Sequence, residues 1–163
     1  MNELVRRALV SVQVPAIREP PGLSRQDGKQ PDGLTLLPWT QGKSLVWDFT
    51  CSDTLAPSHI EQNSTEAGKS ALQAEKKKLS HYENLSASGF IVMPIAAETM
   101  GSWAPMAMKF IKEIGSRLIG LIGERRSTSF LFQSIGIAIQ RGNAASVLGT
   151  IPNTKKLDEI YNL

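Results

Sequence analysis

Two aspartates in the first third of the chain are the residues best suited to metal-dependent chemistry. Asp32 precedes an apolar run at 33–39, and Asp48 interrupts a second apolar run at 44–50. A buried carboxylate without a partner is costly, so such a group is usually paired, protonated or bound to a metal. The turn-like residues 40–43 between the runs predict a hairpin that would bring both acids to one end of a sheet.

Strand alternation separates Asp48 from the bulky side chains around it. Successive strand residues point to opposite faces, so Asp48 and Thr50 share one face while Trp47 and Phe49 lie on the other. If the two runs pair, Asp32 lies near Asp48. Magnesium takes one or two carboxylates together with several waters, and it can activate water and stabilise charge on a phosphate.

A lysine in the following helix adds a third candidate. Residues 66–85 consist of good helix formers, and one face follows the i, i+4, i+7 spacing. That face contains Ala71, Glu75, Lys78, Tyr82 and Leu85. Lys78 is therefore expected to point toward the sheet, whereas Lys76 and Lys77 point outward. A lysine so placed can orient a water or neutralise a developing oxyanion.

Each of these residues, taken alone, also has an ordinary structural interpretation. Asp32 fits a turn, Asp48 fits a salt bridge to an arginine or a loop cap, and Lys78 fits a surface lysine. His59 and His81 are too few and too widely spaced to indicate a zinc site. Spacing alone therefore favours the structural interpretations over catalysis.

Composition sets wider limits. A chain of 163 residues fits one domain, and its net charge of +3 permits a nucleic-acid partner without requiring one. The single cysteine, Cys51, excludes a disulfide framework and a Cys-rich zinc site. The N-terminus lacks the features of a signal peptide, and no run approaches the roughly 20 apolar residues that span a bilayer. We expect an intracellular protein, nuclear or cytoplasmic, without a membrane partner.

The order of the predicted elements indicates the fold class. An amphipathic helix at the N-terminus, with Leu4, Val5, Ala8 and Leu9 on one side, precedes an edge strand at 14–19 and the two strands of the hairpin. Residues 52–65 predict no regular structure, and the helix 66–85 follows. An apolar strand begins at Gly89 and is expected to end near Pro94.

Two further helices complete the predicted chain. One spans 105–123, and another spans 129–150 with a bend expected near Gly142. The apolar stripe predicted for the first of them contains Met108, Ile111, Ile114, Leu118 and Leu121. This order predicts an α/β fold with a mixed sheet and helices on its faces.

These features together resemble a nuclease signature. The sequence Gln30-Pro31-Asp32, followed by a strand ending in VWDFT, resembles the PD-(D/E)xK motif. More narrowly, residues 1–103 resemble the restriction-like endonuclease domain at the C-terminus of some non-LTR retrotransposon polyproteins. That family combines an opening helix, a strand glutamate, a PD strand, an acid on the next strand and a later helix with the pattern KxxKYxxL.

The matching positions follow in the same order along this chain. Residues 1–9 match the opening helix with Met1 in the place of a histidine, and Glu19 falls at the strand glutamate. Lys78 and Tyr82 match the helix motif, with His81 in place of its second lysine. Segment 91–103 is similar to the strand and glycine turn that follow.

One departure concerns the lysine of the signature. Thr50 stands where that lysine is usually found. The family often moves the lysine to the helix, which makes Lys78 its substitute.

The resemblance implies a fold and a reaction. The fold is a restriction-endonuclease-like core of about four strands, in the order α-β-β-β-α-β, over residues 1–102, with a helical extension over 103–163. The reaction is metal-dependent hydrolysis of DNA phosphodiester bonds for target-site cleavage. Asp32, Asp48 and the carbonyl of Phe49 would hold Mg²⁺ or Mn²⁺, and Lys78 would position the water or offset transition-state charge.

The resemblance also implies supporting residues and partners. The supporting residues are Glu19, Thr50, His81 and Tyr82. The candidate phosphate contacts are Arg6, Arg7, Lys29, Lys43, Lys76 and Lys77. DNA and the reverse transcriptase part of a longer polyprotein are the expected partners, and the apolar C-terminal helices allow a homo-oligomer.

Two alternatives remain open at this stage. In one, the chain is a catalytically inactive, truncated retroelement remnant that at most binds nucleic acid. In the other, it is an interaction protein in which the C-terminal helices oligomerise and the acids are structural. A metal site requires both carboxylates and the Lys78 amine to converge within about 4–8 Å, the reach of a shared metal and its water.

Overall fold

A computed structural model describes residues 1–23 and 30–150 of the chain. Its helices are α1 Asn2–Ser11, α2 Pro57–Thr65, α3 Lys69–His81, α4 Glu83–Ala87, α5 Pro105–Ile122 and α6 Ser127–Gly149. Its strands are β1 Ala16–Arg18, β2 Gly33–Thr35, β3 Leu45–Ser52 and β4 Ile91–Glu98. They form one sheet in the order β1-β2-β3-β4, antiparallel except for the parallel pair β3–β4. The predicted mixed α/β class, with a four-stranded sheet and flanking helices, is confirmed.

One face of the sheet carries the main hydrophobic core. Leu45 and Trp47 of β3 are fully buried there, and Phe49 packs against them, so the predicted strand alternation is confirmed. Helices α1, α5 and α6 cover this face through Val5, Leu9, Phe110, Ile114, Leu131 and Ile135. Each such side chain contributes about 1.5–3 kcal/mol by leaving water. The C-terminal helices therefore share one core with the sheet.

The opposite face is covered by α3, which lies close to β3 and β4. The contact is made by small buried side chains, Ala71 of α3, Ala96 of β4 and Ala104. Small residues let a helix backbone approach a sheet closely. The polar side chains of α3 are thereby brought within reach of β3.

Two buried carboxylates fix the position of α3. Glu98 Oε1 accepts hydrogen bonds from the Oγ and N–H of Ser70, at 2.8 and 3.2 Å, at the start of α3. Glu75 Oε2 accepts the N–H of Met106 at 2.8 Å, in the first turn of α5. Negative charge is favourable at a helix N-terminus, where backbone N–H groups lack intrahelical partners. These two acids are structural, and they tie α3 to β4 and to α5.

Residues 52–65 are not irregular as predicted. Pro57 stands in the first turn of α2, where its missing N–H costs no intrahelical bond. The helix buries no residue, so its sequence has no apolar period to reveal it. Tertiary hydrogen bonds hold it instead, from Asn63 Nδ2 to the Thr54 carbonyl at 3.0 Å and to Ser70 Oγ at 3.2 Å.

The helix predicted over 66–85 is shorter and divided. It starts after Gly68, whose φ of +87° is a left-handed conformation that glycine adopts without steric cost. At Tyr82 the backbone leaves helical geometry, with φ −112° and ψ 24°, and α4 begins at the next residue. The face predicted to pack toward the sheet is buried despite this break at three of its positions, Ala71, Glu75 and Tyr82.

Strand β4 does not end at Pro94 as predicted but continues to Glu98. Because β4 is at the edge of the sheet, a residue without an N–H is tolerated there. The stripe predicted for α5 is correct at Ile111 and Ile114 but wrong at Met108 and Leu121, which are 37% and 48% exposed. Helix α6 is one continuous element through Gly142. In the described part of the chain, no helix combines the length and apolar character needed to cross a bilayer.

Gly33 is required by the packing of Trp47. A Cβ added at Gly33 would lie 2.0 Å from Cζ2 of that indole, well inside van der Waals contact. We expect Gly33→Ala to lower the free energy of unfolding by about 1–3 kcal/mol, as overpacking does. Chemical denaturation measures this, with Gly120→Ala as control because a Cβ there meets open space. Equal stability of the two variants would contradict the packing account.

Candidate active site

The pairing of β2 and β3 sets Asp32 opposite Asp48. Gly33 pairs with Trp47 in the antiparallel register, so one further step places the two aspartates across from each other. The N–H of Phe49 donates to Asp32 Oδ2 at 2.6 Å, which fixes that carboxylate beside β3. The structure thus brings together the two acids that the hairpin pattern predicts.

Helix α3 supplies two partners to the second acid. Asp48 is 7% exposed, and its Oδ1 lies 2.6 Å from Lys78 Nζ. Its Oδ2 accepts the hydroxyl of buried Tyr82 at 2.5 Å. Lys78 lies in the last turn of α3 and Tyr82 directly follows the helix, so both side chains reach the same carboxylate. The lysine contacts Asp48 directly, which is closer than the 4–8 Å expected for groups that share a metal and its water.

Burial and the neighbouring acid raise the pKa of Asp32 above its ordinary value. The largest cause is loss of water around the carboxylate, and the negative charge of Asp48 adds to it. The N–H of Phe49, the side chain of Asn2 and the charge of Lys78 act in the opposite direction. The charge of one carboxylate increases the proton affinity of the other. A site of this kind also favours the binding of another positive charge.

Asn2 is a site residue that the sequence did not indicate. It is the first residue of α1, and its side-chain amide acts as a hydrogen-bond donor toward Asp32. Its Oδ1 is buried and has no hydrogen-bond partner. A buried polar atom without a partner is rare and often marks a place for a water or an ion. The apolar pattern of α1 predicts which face of the helix packs on the core, but it does not predict the contact between Asn2 and Asp32.

Glu19 does not join the carboxylate cluster through any described contact. It follows β1 with a φ of +48°, its side chain is exposed, and its N–H donates to the Asp32 carbonyl at 3.0 Å. No described hydrogen bond or ion pair links its carboxylate to Asp48 or Lys78. Its observed contribution is to hold the backbone of Asp32.

A polar cleft of about 450 Å³ opens beside Lys78, between α2, α3 and the second half of β3. Its lining residues are Thr50, Ser52, His59, Ser70, Gln73, Ala74, Lys77, Lys78 and His81. Three of the residues predicted from the sequence, Thr50, Lys77 and His81, are therefore brought to one place next to Asp48. Lys76 is exposed and does not line the cleft.

Three other predicted phosphate contacts, Arg6, Arg7 and Lys43, do not line this cleft. Arg6 is 2.7 Å from Glu3, within α1. Arg7 lines a separate hollow formed by α1, α5 and α6, and Lys43 lies in the turn before β3. Lys29 lies outside the described residues.

The donor set at the two aspartates fits a hard divalent cation. Asp32 and Asp48 offer carboxylate oxygens, and Asn2, which hydrogen-bonds to Asp32, has a buried Oδ1 without a partner. Across residues 1–23 and 30–150 there is no group of three or more His, Cys, Asp or Glu arranged around a metal position. A cation here would take its remaining ligands from the Phe49 carbonyl and water, as Mg²⁺ does.

No protein-family model matches the sequence, and no curated protein is significantly similar to it. The fold alone does not identify an activity, because one fold carries many functions. Function is therefore inferred from the geometry and chemistry of the site.

Proposed function

We propose that this chain is a metal-dependent DNA endonuclease domain of retrotransposon origin that hydrolyses phosphodiester bonds. The observation that carries the proposal is the juxtaposition of two carboxylates and one lysine at the end of paired strands, beside a polar cleft. Phosphodiester hydrolysis needs a held cation, a water and positive charge near the phosphate. The paired aspartates, the polar cleft and Lys78 support the proposal on these three counts.

The two aspartates hold the cation in this proposal, together with the Phe49 carbonyl. Mg²⁺ or Mn²⁺, when bound, supplies activation of water and stabilisation of charge on the phosphate. Tyr82 orients Asp48 through its hydroxyl, and the N–H of Phe49 orients Asp32. Loss of a partner that fixes a ligand in this way typically costs about ten- to a hundredfold in metal affinity or activity.

Lys78 has two positions in this mechanism. Without a cation, it neutralises Asp48 by direct contact. If a cation were held by the aspartates, it would neutralise Asp48 in place of Lys78, and the ammonium on its flexible stem would be free to face the cleft that Lys78 already lines. There it donates to a phosphate oxygen or orients the attacking water, which offsets charge in the transition state.

A catalytically inactive remnant that binds nucleic acid is the second candidate. It is favoured by one observation, that both oxygens of Asp48 already have partners, Lys78 and Tyr82. The charge and the hydrogen-bonding capacity of Asp48 are therefore matched by protein groups without a cation. This candidate predicts DNA retention that is independent of metal and unchanged by Asp48→Ala.

An interaction protein is the remaining alternative. Helix α6 exposes apolar side chains along its length, Phe130, Ile137, Val147 and Leu148. This alternative predicts no DNA binding and an apparent mass that rises with protein concentration, which sedimentation measures.

Lys78→Met tests the role assigned to the lysine. We expect the rate of plasmid nicking in Mg²⁺ or Mn²⁺ to fall between about ten- and a hundredfold, the cost of losing a group that supports a metal site. Lys112→Met is the matched control, since Lys112 is an exposed lysine of α5. EDTA is expected to stop cleavage by every variant. Equal nicking rates for the two variants would exclude the proposed role of Lys78.

A further inference from the structure

We propose that the cleft between α2, α3 and β3 is a binding subsite for a phosphate of the nucleic-acid strand, next to the phosphodiester that is cut. This inference deepens the proposed function and rests on it for the position of the cut bond. Phosphate binding in the cleft can be tested independently of the nuclease activity, because the residues that line the cleft are not the two aspartates.

The lining of the cleft has the chemistry of an oxyanion site. Cationic or potentially cationic groups come from Lys77, Lys78, His59 and His81, and neutral donors come from Thr50, Ser52, Ser70 and Gln73. Among residues 1–23 and 30–150, no acidic residue lines it. Two acids contact its lining residues: Asp48, whose Oδ1 lies 2.6 Å from Lys78 Nζ, and Glu98, which caps α3 through Ser70. Lysine is a common point-charge partner of phosphate, and charge-assisted hydrogen bonds are stronger than neutral ones.

His59 gives the cleft a directed group from α2. Its Nδ1 lies 2.9 Å from the backbone carbonyl of Asp53. A carbonyl oxygen only accepts, so Nδ1 carries a proton, and Nε2 donates to a phosphate oxygen in the doubly protonated form of the ring. The hydrogen bonds from Asn63 to Thr54 and Ser70 hold α2 against α3 and thereby hold this wall of the cleft.

Size and lining favour the sugar-phosphate backbone over a stacked base. A volume of about 450 Å³ lies within the usual range for ligand pockets. In the described part of the chain, the lining contains no Phe, Tyr or Trp, the side chains on which bases of single strands stack, and Ala74 is its one apolar member. Because Lys78 both lines the cleft and contacts Asp48, a phosphate held there lies beside the two aspartates.

Two adjacent lysines provide a matched test of this subsite. The sequence predicts phosphate contacts for both Lys76 and Lys77, but only Lys77 lines the cleft. The affinity of the full chain for a fluorescein-labelled single-stranded oligonucleotide, in EDTA, is measured by fluorescence anisotropy. We expect Lys77→Gln to raise Kd about tenfold. Lys76→Gln is expected to change Kd by less than about twofold, as a screened surface charge does.

Equal effects of the two substitutions would overturn the proposal, since they remove the same charge from neighbouring positions. His59→Gln is expected to raise Kd in the same direction as Lys77→Gln, and an unchanged Kd in that variant would remove α2 from the subsite. Circular dichroism of each variant shows that the fold is retained.

Two further measurements are needed. One distinguishes a phosphate of the strand from a free anion, and the other distinguishes the phosphate subsite from the nuclease activity. Inorganic phosphate and pyrophosphate are added as competitors of the oligonucleotide. If they displace it only at concentrations far above its Kd, the cleft binds a phosphate of the strand. If they displace it at concentrations close to its Kd, the cleft is a site for a free anion, and the assignment is overturned. Binding that depends on Lys77 in a protein that cleaves nothing would leave the cleft intact and refute the nuclease. Cleavage by a protein whose Kd does not depend on Lys77 would support the nuclease and refute the phosphate subsite.

Discussion

Replacing Asp48 by asparagine is expected to lower the rate of metal-dependent DNA cleavage by about a thousandfold, the upper range for loss of a charged group at a reacting phosphate. The reason is that Asp48 is both a ligand position for the cation and the partner of Lys78. The measurement is plasmid nicking under single-turnover conditions in Mg²⁺ and in Mn²⁺. Glu83→Gln serves as a control, because Glu83 is an exposed acid on α4.

The same substitution has a smaller structural cost that must be separated from the catalytic one. Asparagine keeps an acceptor for the Tyr82 hydroxyl but loses the charge opposite Lys78. We expect a loss of about 1–3 kcal/mol in the free energy of unfolding, typical of a hydrogen bond to a charged group. Chemical denaturation checks this value. Cleavage that continues unchanged in a folded Asp48→Asn protein would refute the assignment of the site.

Asp32→Asn is expected to abolish cleavage while making the protein more stable at neutral pH. The pKa of Asp32 is raised in the folded state, so the folded chain binds this proton more tightly than the unfolded chain does. The stability associated with the proton is fully present below the ordinary value of 3.8 and is lost as pH rises through the raised pKa. Ionised Asp32 is therefore destabilising at neutral pH, and a neutral asparagine avoids that cost.

Thermal unfolding in EDTA, measured as a function of pH, checks this second prediction. The Tm of Asp32→Asn is expected to exceed that of the wild type at neutral pH, and the two values should converge below about pH 4. Added Mg²⁺ should raise the Tm of the wild type only, because a ligand stabilises the state that binds it. A variant that is less stable than the wild type at neutral pH would contradict the electrostatic account of Asp32.

Local periodicity was sufficient to predict the central part of the site. Period-two alternation in β3 places Asp48 on the face opposite Trp47, and helical spacing predicts that Lys78 of α3 and Tyr82, which follows that helix, reach the same side. Each of these facts depends only on the geometry of a single element. The hairpin then brings Asp32 across from Asp48, because antiparallel pairing fixes which residues meet.

Contacts between distant segments could not be predicted in this way. Helix α2 buries no side chain, so its sequence has no apolar period, and its hydrogen bonds run to Thr54 and Ser70. Glu98 caps α3 across 28 positions, and Asn2 reaches Asp32 from the first residue of α1. Such polar contacts follow from the packed fold, since neither propensity nor spacing encodes them.

The most direct test of the central claim is the cleavage of supercoiled plasmid by the purified chain with Mg²⁺, with Mn²⁺ and with EDTA, beside Asp48→Asn and Asp32→Asn. The account predicts nicking that requires a divalent cation and disappears in both variants. Folded wild-type protein that cuts under none of these conditions, or cutting that both variants retain, would contradict a metal-dependent nuclease site at Asp32 and Asp48.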